Sequence, residues 1–406
     1  MAAWIVVLAV LAACGARPPH PQSRATYLER VRTETQGPVQ AKVAALGPAE
    51  SRQHFGVDLA ARGIQPVWLE IQNGSDTTLY LLLSSVDPAY FSAREAAYQV
   101  HRWFRPAHNR RLDGFFEAQA IDTTIGPGRT ATGFVFANRD ERAKFVKVHL
   151  YGERQAYRLQ FFVDVPGMRT DSDTVDFEAL YAAGRTELTD EGELGRALAG
   201  LPSCTTRPDG SGCGDPLNFV LIGSPDEIGG TLTAGGWYVT QALSPAALWK
   251  TVTSFALGRR YRYSPMSPLY VFGRRQDAGF QKARDSIHQR NHLRLWLTPL
   301  RYRGRDVWLG AISRDIGVYF TRRAWNLTTH AIDPDIDEAR EALTEDLVTS
   351  QAVRAVGYVR GVRAATAERP RRNLMHAPYW TDGSRAVFMF HDQPTTLGNV
   401  DFFDLE

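Results

Sequence analysis

Short segments in which apolar and polar residues alternate dominate the first part of the chain. Residues 38–45 and 66–72 show this alternation, and an Asn73-Gly74 turn separates the second segment from the apolar run 78–83. Alternation predicts half-buried strands, and the turn predicts a hairpin between 66–72 and 78–83. Later segments rich in Phe, Val and Tyr are also predicted as strands: 114–121, 131–137, 144–151 and 156–165. Together these strands predict an antiparallel β-sandwich over residues 38–166.

A helical segment interrupts these strands. Ser92 and Glu95 have the spacing of a capping box, and helical spacing continues to His101. Around His101 and His108 the chain carries Arg102, Arg105, Arg110 and Arg111. This cluster is either an anion-binding site or a solvated basic helix end, and the solvated end is the simpler interpretation.

The regular pattern breaks up between residues 167 and 213, which predicts a linker with short helices. The second domain, 214–406, opens with the apolar run 215–223, which predicts a buried strand. Ser224-Pro225-Asp226-Glu227 follows this strand. A serine after a strand suggests a nucleophile, but Pro at the first helical position and Glu three residues after the serine predict an N-cap instead.

Further elements of the second domain follow from spacing and turn residues. A helix is predicted at 244–256, where Ser-Pro precedes apolar residues three and four positions apart. Strands are predicted at 267–273, 291–296, 306–315, 352–362 and 386–390. The chain is therefore predicted to be α+β, with an N-terminal antiparallel β-sandwich plus a C-terminal mixed α+β domain.

The first residues differ from the rest of the chain. Ala2 to Ala13 is almost wholly apolar and too short for a conventional transmembrane helix, so it predicts a signal peptide. Its end, Leu11-Ala-Ala-Cys14-Gly15, resembles the bacterial lipobox, which implies acylation of Cys14, for example with palmitate, and a tether over 15–37. The alternative is a plain secretory signal with Cys14 incidental, and no Lys or Arg precedes the apolar run. Both interpretations predict export.

The lipobox resemblance also implies a location. Gly15 stands where Asp would imply retention in the inner membrane, so we expect a lipoprotein of the outer membrane, facing the periplasm, with the membrane as its partner. Cys204 and Cys213 flank a turn-rich loop, which predicts a disulfide in an oxidising compartment; a reduced pair or metal ligation is the alternative. A net charge of +3 is too small to predict a nucleic-acid partner, and the sequence does not identify a protein partner.

Ionisable residues of the second domain share one face of a predicted strand. In residues 291–296 alternation places Leu293 and Leu295 on one face, and His292 and Arg294 with Trp296 on the other. Asp315 ends the next strand. Arg274, in a turn after an earlier strand, is a further candidate to hold an anionic group.

An acidic run follows His330 and has two interpretations. His330 with Asp333, Asp335 or Asp337 has the residue types for a divalent metal site or an acid/base pair. The alternative is a helix start in which Asp333 is the N-cap and the later acids interact with the helix dipole. The divalent metal is thus the cofactor that one of these interpretations predicts.

An ordered set of motifs in the second domain consists of Asp215-Pro-Leu-Asn-Phe-Val-Leu-Ile-Gly-Ser224, Leu269-Tyr-Val-Phe-Gly-Arg274 with Gln276-Asp277, His292-Leu-Arg-Leu-Trp296, Val307-Trp-Leu-Gly310 and His330-Ala-Ile-Asp-Pro-Asp-Ile-Asp337. Through these motifs, residues 214–365 resemble the LssY carboxy-terminal domain family. The family has no established activity. In some relatives the domain follows a lipid-phosphate phosphatase-like domain, which is not recognised in this sequence, so the resemblance implies no phosphatase activity.

These observations predict a cell-envelope lipoprotein that binds an anionic or lipid-associated ligand through the polar face. The candidate ligand-binding residues are His292, Arg294, His330, Asp315 and Arg274, and the candidate metal ligands are Asp333, Asp335 and Asp337. The alternative function is metal-assisted hydrolysis of an ester or phosphoester in the envelope.

Overall fold

The structure is a computed structural model that divides into two compact units, Met1–Met168 and Arg169–Glu406. It describes residues 26–141, 143–167, 175–177, 179–182, 184–240, 266–283, 290–320, 328–391 and 395–405, without the side chains of 283, 317–320 and 328–331. The predicted signal peptide, Cys14 and the predicted helix 244–256 lie outside the described residues. Within the described ranges, no helix is both long and apolar enough to cross a membrane.

The first unit is an antiparallel β-sandwich with helices. Its strands are β1 Arg32–Gln36, β2 Val39–Ala45, β3 Ile64–Asn73, β4 Leu79–Leu81, β5 Thr124–Ile125, β6 Thr130–Asn138, β7 Ala143–Gly152 and β8 Gln155–Asp164. Its helices are α1 Pro48–Phe55, α2 Leu83–Val86, α3 Ala93–Tyr98 and α4 Pro106–Gln119, with 3-10 turns at Thr26–Arg30 and Ala60–Arg62. The sheets have the orders β1-β2-β3-β6 and β5-β4-β7-β8, and side chains from both sheets form one buried core. The predicted sandwich is confirmed.

The predicted hairpin between 66–72 and 78–83 is wrong. β3 pairs with β2 on one edge and with β6 on the other, so neither edge is open to β4. β4 instead pairs with β5 and β7 in the second sheet. Asn73, at the end of β3, donates side-chain hydrogen bonds to the carbonyls of Thr77 and Ile125, which holds the chain where it passes between sheets.

The predicted strand 114–121 is also wrong, because residues 114–119 continue helix α4, which ends at Gln119. Leu112 and Phe116, four positions apart, are the buried residues of α4. Four-residue spacing places them on one side of a helix, and Pro106 at the first position suits the helix start. The high β-propensity of neighbouring Phe115 and Phe116 obscured this period.

Regular structure begins earlier in the chain than the sequence predicted, since β1 lies within the predicted tether.

The second unit is a mixed α+β fold. Its strands are β9 Thr186–Leu188, β10 Phe219–Ile222, β11 Tyr238–Val239, β12 Tyr270–Val271, β13 Arg274–Arg275, β14 Ala278–Ala283, β15 Arg290–Tyr302, β16 Arg305–Phe320, β17 Thr328–Ile332, β18 Val353–Arg360, β19 Arg371–Arg372, β20 Pro378–Tyr379, β21 Ser384–Phe390 and β22 Asp401–Phe402. Its helices are α5 Glu191–Ala199, α6 Pro225–Ala234 and α7 Ile336–Thr349, with 3-10 turns at Ala179–Tyr181 and Leu397–Asn399. The predicted α+β class is confirmed.

One large sheet organises this unit. Its strand order is β11-β14-β15-β16-β10-β21-β18-β22, with β17 beside β16 and β9 beside β15. β10 and β21 are parallel, whereas β14, β15 and β16 are antiparallel neighbours. Apolar residues of α6 and α7 join the buried core on one face, and those of α5 join the core on the other. The site described below lies on the α5 face, on β14, β15 and β16.

Most of the predicted linker belongs to this second unit. β9 pairs with β15, and Leu194 and Leu198 of α5 are fully buried. Arg385 on β21 donates hydrogen bonds to the carbonyls of Leu198, Leu201 and Pro202. These contacts join the residues before 214 to the sheet.

Candidate functional site

The central strands β15 and β16 have the alternation that the sequence predicts. Leu293 and Leu295 lie in the core on the α6 and α7 side, whereas Trp296 lies in the core on the other side. In β16, Trp308 and Ile312 face the first core, and Val307, Leu309 and Ala311 face the second. His292 and Arg294 therefore share the face of Trp296, because residues two apart on a strand point the same way.

His292 and Asp315 form a close pair across these strands. His292 Nε2 lies 2.7 Å from Asp315 Oδ2, and His292 Nδ1 lies 2.9 Å from the sulfur of Met266. Their side chains are 14% and 5% exposed, so the pair is largely removed from water. The backbone register explains the contact, since His292 is opposite Ser313 and Asp315 is two residues further along β16. A histidine oriented by a carboxylate is an arrangement that supports proton transfer as well as ligand binding.

Arginines on both sides of His292 extend this face. Arg294 donates a hydrogen bond to the Ser267 carbonyl oxygen at 3.2 Å. Arg290 donates to Gln281 Oε1 at 2.9 Å, and its Nε has no hydrogen-bond partner among the described residues. Burial lowers the pKa of Arg290, and Asp315 partly offsets that effect. The polar face, defined here as Arg290, His292, Arg294 and Asp315, thus contains two buried guanidinium groups and one carboxylate.

Arg290 is the member of the polar face that sequence analysis missed. β15 begins one residue earlier than the predicted strand, at Arg290 rather than Asn291. The alternation that grouped His292 with Arg294 includes position 290 if the strand is extended by one residue. The missing information was the strand boundary, which is the least reliable part of a sequence-based assignment.

Other buried arginines show how unusual the surroundings of Arg290 are. Arg340 contacts three carboxylates, and although burial alone would lower its pKa, these partners raise it. Arg274 likewise binds both oxygens of Asp277, at 2.9 and 2.8 Å. Arg385 is fully buried and donates to five backbone carbonyls. By contrast, the side-chain acceptor of Arg290 is the neutral amide of Gln281.

Two predicted ligand-binding residues are not placed on the polar face. Arg274 binds Asp277 and the Leu297 carbonyl, five residues along β15 from His292, which corresponds to about 17 Å of strand. The backbone of His330 pairs with Val318 in the β16–β17 hairpin, but its side chain lies outside the described residues. The structure therefore brings together His292, Arg294 and Asp315 of the predicted set, and adds Arg290.

The acidic run mainly serves the start of α7. Asp335, rather than the predicted Asp333, is the N-cap, and its side chain accepts from the Asp337 amide at 3.2 Å. Asp333 accepts from the Asp335 amide at 3.1 Å. Asp337 accepts from Thr381 Oγ1 and lies 3.1 Å from Arg340. Among the side chains that the structure describes, no three His, Cys, Asp or Glu residues are grouped to hold a metal ion.

Two further sequence predictions concern local chemistry. Cys204 and Cys213 form a disulfide with a Cα–Cα distance of 5.5 Å, which confirms the predicted pairing. Ser224 is the N-cap of α6 and forms a capping box with Glu227, as predicted. Its hydroxyl accepts from the Glu227 amide at 3.2 Å, so Ser224 has a structural role at the helix start.

A groove of about 380 Å³ lies in another part of the second unit, between α5 and β18. Its lining includes Arg196, Tyr358, Arg360 and Leu405. None of the residues of the polar face contributes to it. The groove and the polar face are therefore separate features of this unit.

Residues 198–384 match the LssY C-terminus family, which confirms the resemblance of the motifs. The match begins near the end of α5 and extends into β21, so it contains the polar face and the start of α7. This part of the chain is therefore similar to the LssY C-terminus family. Among curated proteins, no relative matches the chain.

Proposed function

We propose that the protein is a cell-envelope lipoprotein whose LssY C-terminus-like domain binds an anionic group through Arg290, His292 and Arg294. The observation that carries this proposal is the surroundings of Arg290. Arg290 is 9% exposed, and among the described residues the side-chain group that it bonds is the neutral amide of Gln281. A buried charge with such a partner is unfavourable in the free protein and becomes favourable when an anion is bound.

The chemistry of arginine suits this role. A guanidinium offers five N–H donors in a planar fork that matches the oxygens of a phosphate or carboxylate. Arg290 and Arg294 are four residues apart on β15, with His292 midway between them, and every second residue of a strand points to the same side of the sheet. The exclusion of water strengthens charge interactions at such a site. An anionic headgroup or a carboxylate is the ligand chemistry that these side chains support.

Titration of the purified full chain with inorganic phosphate, and separately with acetate, tests this proposal. Arg290→Gln and Arg294→Gln should each weaken binding of the preferred anion by roughly tenfold or more, because a charged hydrogen bond contributes about 1.5–3 kcal/mol. Arg360→Gln, which changes an exposed arginine on β18, is the matched control. Equal affinity in all four proteins would contradict the proposal.

The second candidate function is metal-assisted hydrolysis of an ester or phosphoester. The His292–Asp315 pair favours it, because a carboxylate that orients a histidine is part of many acid/base sites. Metal analysis of the purified protein, compared with a His330→Ala/Asp333→Ala variant, distinguishes the two functions. Bound metal that the double variant loses would favour hydrolysis, whereas a metal-free protein that retains phosphate would favour binding alone.

Membrane anchoring through acylated Cys14 is a separate part of the proposal. The lipobox-like sequence 11–15 supports it, and Gly15 after the cysteine supports transfer to the outer membrane. Cys14→Ser should prevent acylation, which mass spectrometry of the amino-terminal peptide measures directly. Detection of an unmodified Cys14 in the exported wild-type protein would contradict the assignment.

A further inference from the structure

The most exposed aromatic side chains among the described residues of the first unit lie close together along the chain. Trp103 is 88% exposed and Phe104 is 91% exposed, and Tyr98 nearby is 69% exposed. Single exposed apolar residues are common on protein surfaces, but a group of large aromatics marks an interaction site. We call Tyr98, Trp103 and Phe104 the aromatic tip. They lie at the end of α3 and in the loop that leads to α4.

The loop that carries the aromatic tip is held in place by α4. Asn109 accepts from the Arg102 amide and donates to the Arg102 carbonyl, both at 3.0 Å. His101 Nε2 lies 2.7 Å from Asp113 Oδ1. Phe104 has a φ of 58°, a left-handed conformation that non-glycine residues rarely adopt. The loop thus presents two aromatic rings to solvent, and Phe104 does so in an unfavourable backbone conformation of the kind that also occurs at functional sites.

The formal charges within the segment that carries the aromatic tip have one sign. Residues 98–111 contain four arginines and no aspartate or glutamate. All four arginines are exposed, and no carboxylate pairs with Arg105, Arg110 or Arg111 in the part of the chain that the structure describes. The nearby acids of α4 already have partners, since Asp113 contacts His101 and Glu117 contacts Arg94.

We propose that the aromatic tip inserts into the headgroup region of an anionic lipid bilayer. Trp and Tyr favour the membrane interface, because their rings are apolar and their polar atoms remain hydrated. Arginines beside them attract the negatively charged surface and bind headgroup phosphates. A rigid loop loses little conformational entropy on insertion. The aromatic tip would then hold the first unit at the membrane surface independently of any acyl chain.

Vesicle binding by the full chain carrying Cys14→Ser tests this proposal without acylation. With vesicles of phosphatidylcholine and phosphatidylglycerol, Trp103→Ala/Phe104→Ala should lower the partition coefficient at least about tenfold, because burial of one aromatic ring has an effect of this size. Arg105→Gln and Arg111→Gln should each lower it about fivefold. High salt should reduce the effect of the arginines.

Matched controls separate the aromatic tip from the rest of the chain. Phe402→Ala removes an 80% exposed aromatic from the second unit, and Arg154→Gln removes an exposed arginine from the β7–β8 turn. Both should leave partitioning unchanged. Brominated lipids quench the fluorescence of tryptophans that enter the bilayer. The part of this quenching that is lost in Trp103→Phe therefore measures insertion of the Trp103 side chain.

The outcomes of these measurements distinguish insertion of the aromatic tip into a bilayer from its contact with another copy of the chain. Loss of tip-dependent partitioning and of Trp103 quenching in the variants, with unchanged thermal unfolding, is the expected result. If the Trp103→Phe variant shows the same quenching as its parent, insertion is contradicted. Concentration-dependent self-association that Trp103→Ala/Phe104→Ala abolishes, without any effect on vesicle binding, would show instead that the tip contacts another copy of the chain.

Discussion

Replacement of Arg290 by methionine distinguishes a binding residue from a structural one. Methionine has a similar length and removes the charge, so the substitution removes the guanidinium from a site that is 9% exposed. If Arg290 is retained for an anionic ligand, the ligand-free protein should not depend on it. Residues that serve binding are often neutral or unfavourable for stability.

The expected magnitude follows from the contacts of Arg290. Loss of the hydrogen bond to Gln281 costs about 1.5–3 kcal/mol, whereas removal of a buried charge returns several kcal/mol of desolvation free energy, reduced by the attraction of Asp315. These effects oppose each other. The free energy of unfolding of Arg290→Met should therefore be unchanged within about 1 kcal/mol, or higher than that of the wild type.

Arg385→Met is the matched control, and it should lower the free energy of unfolding. Arg385 is also buried, and burial lowers its pKa to about 10, so it is charged at neutral pH. Its guanidinium donates to five backbone carbonyls, and each carbonyl left without a donor costs about 1–3 kcal/mol. The total is above about 5 kcal/mol, which is comparable to the whole stability of many domains.

Urea unfolding of the two variants and the wild type, without added anions, measures this difference. The fluorescence signal includes the buried tryptophans of the second unit, Trp237, Trp296 and Trp308, together with Trp68 of the first unit. A loss of more than about 3 kcal/mol in Arg290→Met would refute the reasoning, because it would show that Arg290 stabilises the fold as Arg385 does. Phosphate should raise the stability of the wild type and leave Arg290→Met unchanged.

Further predictions concern a disulfide and two pH effects. Cys204→Ala/Cys213→Ala opens a loop with a sequence separation of 9 and should lower the free energy of unfolding by about 3 kcal/mol, as urea unfolding would show. Burial and two nearby cations lower the pKa of His149 below 6.5, so β7 should lose stability as pH falls below that value, and hydrogen exchange in His149→Gln should lack this dependence. Burial alone would raise the pKa of Asp382, but Arg340 lowers it below 3.8. The stability that the Arg340–Asp382 pair contributes is present above pH 3.8 and is lost as the pH falls through the lowered pKa of Asp382 in the folded state. The free energy of unfolding of Asp382→Asn should therefore depend less on pH in this acidic range, as acid unfolding would show.

Local sequence patterns predicted the parts of the fold that depend on short-range periodicity. Alternation assigned Leu293 and Leu295 to one face of β15 and His292 and Arg294 to the other. The assignment was right because Leu293 and Leu295 are both buried in the core on one side of the sheet. Capping boxes at Ser92 and Ser224 were recognised for the same reason, since both partners lie within one turn of helix.

Features that depend on distant contacts were not predicted. The hairpin after Asn73 was wrong because β2 and β6 occupy both edges of β3, which a local turn signal cannot show. Residues 114–121 were assigned to a strand because aromatic residues favour strands, although their burial follows a helical period. The contrast between Arg290 and Arg340 depends on which side chains the fold places around each guanidinium.

The central claim is that the polar face binds an anion, and a crystal structure of the full chain soaked in selenate tests it most directly. Selenate resembles phosphate in shape, and its selenium scatters anomalously. We expect an anomalous peak within hydrogen-bond distance of the Arg290 and Arg294 guanidinium groups, and its loss in Arg290→Gln crystals. A structure in which Arg290 instead binds a carboxylate of the chain, with no selenate beside it, would contradict the claim.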